Sequence, residues 1–343
     1  MEMGILGLPG SGKSTLFEIM TGGNGRESRG ESCRRGLADV PDSRFEHLVD
    51  VFRPLKVSPA RIPFIDVHSR GDRPGDSIRQ TLNGTDGLIH IVDGFTAMDA
   101  REIARRYRKL ADEMILSDLL IVENRLDRMA RIPAKSLKPA DQLHRQVLPR
   151  LKEGLEKGLP LRALKLTDEE ALSLKSFSFL SIRPELVVVN VGENTASSAD
   201  ALRSAADIPS PAIGISCRIE ADLVGLAPLE QREFLNDLGV EEPAFRRVIR
   251  EAFSLLGRIC YFTVGEDEVK AWVIPAGSRA PQAAAAIHED FERGFIRAEV
   301  VGYEDFVACG STLAGAKAAG KMRLEGKDYV VRDGDILSFR FNI

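Results

Sequence analysis

The sequence is poor in the groups that would place it in an oxidising or membrane setting. Among 343 residues there are four cysteines, Cys33, Cys217, Cys260 and Cys309, far apart and with no CxxC pair. A disulfide framework, a disulfide-linked partner and a zinc site are therefore not expected, and a reducing, cytoplasmic location fits. No run approaches the roughly 20 apolar residues of a membrane-spanning helix. Met1–Ile5 has no basic stretch leading into an apolar one, which argues against a signal peptide and, with the short apolar runs, against a membrane partner. Two further absences are local. Residues 23–39 contain no threonine, and residues 133–164 contain no aromatic side chain. Base stacking along the second stretch is thereby excluded. What remains is ordinary for globular protein, 43% hydrophobic and 29% charged, with a length that suits two or three domains.

The net charge of −4 hides an uneven distribution. Residues 101–165 hold sixteen Lys/Arg against nine Asp/Glu, a local +7, which leaves about −11 for the rest. Long solvated helices account for such a stretch, and so does an anionic partner.

Short Val- and Ile-rich runs at 3–8, 62–67, 88–92, 186–191 and 212–215 read as strands buried on both faces, as in parallel sheets. Helical stretches between them predict an open α/β domain. The pattern breaks between Thr96 and Arg183. There Ile115, Leu119, Val122, Leu126 and Met129 form one apolar stripe on a long helix. A second helix is expected over about 140–157, with Pro149 inside it, and Thr167–Glu170 reads as a capping box opening a third. From about Gly257 alternating runs at 261–264, 270–274 and 296–301 predict strands, with helices over 283–291 and 315–324. Runs at 327–331 and 336–341 flank Asp333-Gly334, a hairpin signal. The pattern predicts an open α/β body (1–98 and 184–256), two antiparallel helices projecting from it (99–183) and a C-terminal β-grasp module (257–343).

Gly7-Leu8-Pro9-Gly10-Ser11-Gly12-Lys13-Ser14 fits G-x-x-x-x-G-K-[ST] at every fixed position. Gly7, Pro9, Gly10 and Gly12 shape the turn so that the backbone N–H groups of Gly10, Ser11, Gly12, Lys13, Ser14 and Thr15 close on phosphate. The following helix points its positive end at the anion. Lys13 is expected to reach the β- and γ-phosphates, and Ser14 to offer its hydroxyl to Mg²⁺.

This loop, Asn190-Val191-Gly192-Glu193 and the strings FLNDLG (234–239), HEDFERGFIRAE (288–299), RLEGKDY (323–329) and FRFNI (339–343) resemble the Obg-like ATPases of the YchF type. The likeness covers nearly the whole chain, weakly over 22–74 and strongly after Arg183. It implies a P-loop, G-domain-like sheet interrupted by a helical coiled-coil arm, a C-terminal TGS (ubiquitin-like) domain of β-grasp type, ATP as ligand, and association with ribosomes. Asn190 and Glu193 match the family's N-x-x-E element. Val191 stands where a guanine-reading N-K-x-D has lysine, so ATP is expected over GTP. Ser216 and Cys217 take the place of a second base-side loop. Asp66 matches the Mg²⁺-side aspartate, and His90 a histidine that the family uses in hydrolysis; a satisfied histidine in an apolar strand is the competing reading.

The sequence also departs from the family. The D-x-x-G glycine is replaced by Ser69, the segment after it is about a dozen residues short, and no switch threonine is present over 23–39. His68 is a second candidate beside Asp66. Phosphoryl transfer depends on positioning and charge neutralisation, so these losses should slow hydrolysis more than binding. The expected function is a weak ATPase acting as a nucleotide-dependent switch near the ribosome. In that reading ribosomal RNA meets the basic arm through Arg125, Arg128, Arg131, Lys135, Lys138 and Arg145. A non-hydrolysing scaffold and a GTPase are the alternatives.

Overall fold

The computed structural model describes residues 1–27, 33–67, 79, 81–82, 84–131, 139–209, 211–237 and 239–342. The chain forms two compact units, Met1–Ala38 with Pro63–Ala252 and Asp39–Ile62 with Phe253–Ile343.

The first unit is built on a seven-stranded sheet of order β2-β3-β5-β1-β6-β7-β8. Its strands are β1 (Met3–Leu6), β2 (Arg26–Glu27), β3 (Cys33–Asp39), β5 (Arg61–Val67), β6 (Gly87–Asp93), β7 (Glu185–Asn190) and β8 (Ala212–Ile215). β1, β5, β6, β7 and β8 run parallel, while β2 and β3 form an antiparallel edge. β1 and β7 are buried along their whole length, which is why they read as unbroken apolar runs. β1 lies between β5 and β6, with Ile5 paired to Asp66 and Leu6 to His90. The carboxyl ends of β5, β1 and β6 thus lie side by side where β1 gives way to helix α1 (Lys13–Thr21), at the edge where open parallel sheets take ligands.

Between β6 and β7, helix Ala100–Ala130 starts on Asp99, whose side chain accepts from the Glu102 N–H. It packs against helix Pro139–Glu156, which carries Pro149 internally. Ile115, Val122 and Met129 from the apolar stripe are buried against Val147, Leu148, Leu151 and Leu155, with Leu119 and Leu126 at the margin. The capping box at Thr167 and Glu170 is formed and opens helix Asp168–Leu174. At the base of this helical pair Asp118 is fully buried. It accepts from the N–H groups of Leu180 and Ser181, the Ser181 hydroxyl and the Arg79 guanidinium. Among the described residues no helix is long and apolar enough to cross a membrane.

The second unit is a six-stranded mixed sheet of order β12-β11-β13-β9-β10-β4. It contains β4 (Lys56–Ser58), β9 (Arg258–Thr263), β10 (Glu268–Pro275), β11 (Phe295–Gly302), β12 (Arg323–Glu325) and β13 (Asp335–Phe341). Residues 39–62, which the sequence reading groups with the phosphate motif, pack here. Helix α2 (Ser43–Phe52) is capped by Asp42, buries Phe45 beside Phe262, and places His47 Nδ1 2.9 Å from the Tyr303 hydroxyl. Arg44 bridges to Asp333 at 2.8 Å.

Four local expectations are corrected. Residues 327–331 form no strand, only a bridge between Val330 and Arg279. The strand beyond Asp333-Gly334, β13, pairs with β11 and β9, so the Asp-Gly turn closes no hairpin. The helix expected over 283–291 is two short ones, Ala280–Ala285 and Glu289–Arg293. That expected over 315–324 is Leu313–Ala318, followed by β12.

Candidate phosphate-binding site

Two glycines make the loop after β1 possible. A Cβ on Gly7 would lie 2.6 Å from the Ile91 carbonyl oxygen and 2.5 Å from Ser11 Oγ. Gly12 has φ +100°, and a Cβ there would meet Asn190 Nδ2 at 2.5 Å. The loop therefore rests directly on β6 and on the end of β7, and Gly12 caps the N-terminus of α1. Lys13 folds over the loop, its Nζ donating to the carbonyls of Gly7 (2.9 Å) and Leu8 (3.1 Å). Burial lowers its pKa, against the opposing charge of Asp66.

The loop is fastened from the side by Asn190. Its Nδ2 donates to the Ser11 carbonyl at 3.0 Å, and its Oδ1 accepts from the Cys217 N–H at 3.0 Å. The structure thus joins Asn190, the phosphate loop and the Ser216-Cys217 turn into one buried assembly. The Cys217 thiol is pushed up to about 12, by burial first and then by Glu220, so it stays neutral. Glu193 is exposed, with Arg218 Nε 3.8 Å from its carboxylate.

Beside Lys13, Ser14 Oγ donates to Asp66 Oδ2 at 2.9 Å. The same oxygen accepts from Arg34 Nη2 at 2.9 Å. Arg34 Nη1 donates to Glu18 at 2.8 Å, and the guanidinium carbon lies 5.1 Å from the centroid of the Phe17 ring. Burial pulls the pKa of Arg34 down, but its hydrogen bonds and charge interactions with Glu18 and Asp66 outweigh that and hold it above its ordinary value. Sequence reasoning missed this residue. Nothing in Cys33-Arg34-Arg35 marks one arginine as facing Asp66, and only the placement of β3 next to β5 does so.

His90 lies elsewhere. Ile91 turns toward Gly7, and alternation along β6 sends His90 to the other face. There it is buried, with Nδ1 3.1 Å from Glu185 Oε1 and its ring 5.0 Å from that of Tyr107. Glu185 also accepts from the Tyr107 hydroxyl at 3.1 Å and from Arg162. An ionised carboxylate only accepts, so Nδ1 carries the proton. The structure does not bring His90 to the phosphate loop. His68 and Ser69 lie outside the described residues, as do Lys135 and Lys138.

On the helical pair, Arg125 is bound to Asp141, whereas Arg128, Arg131 and Arg145 are exposed and form no ion pair among the described residues. Other basic side chains of the helical pair are tied to carboxylates: Arg106 to Asp93 and Glu102, Lys152 to Glu123, Arg150 to Glu170.

Comparison with known proteins decides the kinship. Residues 258–342 match the YchF-GTPase_C family model, described as a protein of unknown function (DUF933). Over its whole length the chain is 36% identical to the whole of the ribosome-binding ATPase YchF of Bacillus subtilis. It is likewise 36% identical to that of Haemophilus influenzae, covering 99% of that protein. The chain belongs to the YchF/Obg-like ATPase family. Its C-terminal part is the family's TGS-like domain. The structure of the Schizosaccharomyces pombe YchF GTPase superposes with a TM-score of 0.84 at 25% identity, over 99% of this chain and 97% of that one. One relative is thus described as an ATPase and another as a GTPase, so base preference has to be argued for each chain.

The family kinship also raises Mg²⁺. Ser14 and Asp66 bring two hard oxygen donors together at the start of α1, which suits that ion. Arg34, however, already shares the carboxylate oxygen that the ion would take, so the corner as built does not fit a bound Mg²⁺.

Proposed function

We propose that this chain binds a nucleoside triphosphate at Gly7–Thr15, prefers ATP to GTP, hydrolyses it slowly, and works as a nucleotide-dependent switch on the ribosome in the cytoplasm. The observation that carries the reading is the loop itself. Gly7 and Gly12 sit where no side chain fits, and Lys13 lies across the carbonyls of Gly7 and Leu8 at the N-terminus of α1. That assembly offers backbone N–H groups, a helix end and an ammonium to phosphate. Ser14 and Asp66 mark the position where a divalent cation is expected in this family, and there Arg34 already shares the Asp66 oxygen.

Adenine preference rests on Val191 and Glu193, since an exposed glutamate replaces the aspartate of the guanine-reading element. Asn190 acts chiefly by positioning the loop and the Ser216-Cys217 turn, both ends of its amide being engaged. Slow turnover rests on the missing switch threonine and on His90 being held by Glu185. That second observation also favours the non-hydrolysing reading, in which binding alone is the signal. We assign the parts as a nucleotide-binding domain (1–98 and 184–256), a coiled-coil arm (99–183) and a β-grasp TGS domain (257–343), residues 39–62 packing with the last. The arm would meet ribosomal RNA through Arg128, Arg131 and Arg145.

Calorimetric titration with ATP and with GTP tests this. ATP should bind at least about 10-fold tighter than GTP, and Lys13→Ala should weaken ATP by at least about 10-fold, or 1.4 kcal/mol. Equal affinity for the two nucleotides sinks the base assignment, and an unchanged Lys13→Ala sinks the loop.

A further inference from the structure

We propose that Arg34 stands in for a divalent cation beside the phosphate loop, so that this chain binds its nucleotide with little dependence on Mg²⁺. The proposal rests on the nucleotide reading above and adds a cation requirement to it. Asp66 is fully buried, and its Oδ2 is shared by Ser14 and by Arg34 at 2.9 Å each. A dication at this corner would draw its affinity from the negative charge of that carboxylate. Here the charge is already matched by a guanidinium, which does not lose its proton in proteins. Mg²⁺ would have to break or weaken a buried, hydrogen-bonded ion pair to gain the same oxygen.

The arginine is built in rather than loosely placed. It stands on β3, inside the sheet, where Arg34 pairs in register with Glu27 of β2. Its two terminal nitrogens are fixed by separate carboxylates, Glu18 on α1 and Asp66 on β5, and its plane lies over Phe17 of the same helix. A fork held at both prongs keeps its position without further ordering. The consequence for a phosphate ligand follows from charge. With Asp66 neutralised, the corner no longer repels a polyanion, and Lys13 and the helix terminus attract it unopposed. The absence of threonine over 23–39 is consistent with this, because a cation that is not needed needs no extra ligand.

The test is the affinity for ADP and for a non-hydrolysable ATP analogue, measured by calorimetry in Mg²⁺ and again in EDTA. It uses the full chain, Arg34→Gln and Arg34→Lys, with thermal melts to check folding. The wild-type protein should lose less than about 5-fold affinity on removing Mg²⁺, and Arg34→Gln should raise that ratio by at least about 5-fold. If Arg34→Gln does not fold, Arg34→Lys takes its place with the same sense, because loss of the fork should raise the ratio. A wild-type loss of about 5-fold or more in EDTA overturns the proposal whatever the variants do, as does an unchanged ratio in a folded variant. If the wild-type protein binds nucleotide in neither buffer, the nucleotide reading falls and takes this proposal with it, an outcome distinct from binding with a steep Mg²⁺ requirement.

Discussion

Strand β6 presents two unlike surfaces. On one, Ile91 lies beneath Gly7 and Gly12, and the surroundings are apolar side chain and bare backbone. On the other, one residue away, His90 enters a buried polar network with Glu185, Tyr107 and Arg162. The first surface gives a loop a smooth seat close enough for its amides to converge. The second ties the strand to the helix Ala100–Ala130 through Tyr107 and to the segment before β7 through Arg162. The seat of the candidate phosphate loop and an anchor for the helical pair therefore sit back to back on a single strand. A residue's place along that strand does not say which it serves; the parity of its position does.

The comparison breaks most directly at Glu185. Replacing it by alanine leaves an imidazole N–H, a phenol and a guanidinium without their shared acceptor in a dry site. Removing one partner of a buried pair costs about 3–5 kcal/mol, and urea unfolding of Glu185→Ala should show a loss of that order. Glu185→Gln, which can still accept, should lose less. If Glu185→Ala costs under about 1 kcal/mol, the network is a minor contact and not an anchor.

The loop face predicts a smaller effect with a different signature. Asn190→Ala removes two hydrogen bonds and leaves the Ser11 carbonyl and the Cys217 N–H unsatisfied, at about 1–3 kcal/mol of stability. Because Asn190 holds the loop, nucleotide affinity should fall too, whereas Glu185→Ala at a temperature where it stays folded should bind nearly as the parent does. Calorimetry on both variants separates the faces. Equal losses of affinity would mean that the two surfaces are not independent.

The difference in legibility between the regions has a physical origin. Gly7, Gly12, Lys13 and Ser14 were readable because phosphate binding needs those residue types at fixed spacing within one short stretch. Asp66 was readable only through the family resemblance, as an acidic residue within an otherwise apolar run. Arg34 carries no such mark: β3 is half exposed, has little apolar signal, and acquires its meaning only from its place beside β5. The Asp333-Gly334 turn taught the converse. Its local preference is strong, but β13 finds its partners in β11 and β9, far away in sequence. Residues 39–62 escaped for the same reason, since β4 pairs with β10 across more than two hundred residues. Local chemistry fixes motifs, and long-range pairing decides what stands next to them.

The smallest effect concerns Glu220, which lies under the turn that Asn190 holds. Its carboxylate accepts from the N–H groups of Ala244 (2.9 Å) and Phe245 (3.4 Å) and is almost wholly buried. Burial raises its pKa above the ordinary 4.5, outweighing those two hydrogen bonds and the charge of Arg247. Folding therefore favours the protonated acid. The stability it contributes is complete below the ordinary carboxyl value and drains as pH rises through the folded one. Glu220→Gln cannot ionise and keeps an oxygen for one of the amides. At low pH it should be no more stable than the parent, and lower by about 1 kcal/mol if the lost contact matters. As pH climbs above 4.5 the parent alone should lose stability, so the gap should close or reverse. Unfolding free energies measured from pH 4 to about 8 decide it, because a constant gap would show that Glu220 titrates alike in the folded and unfolded chain.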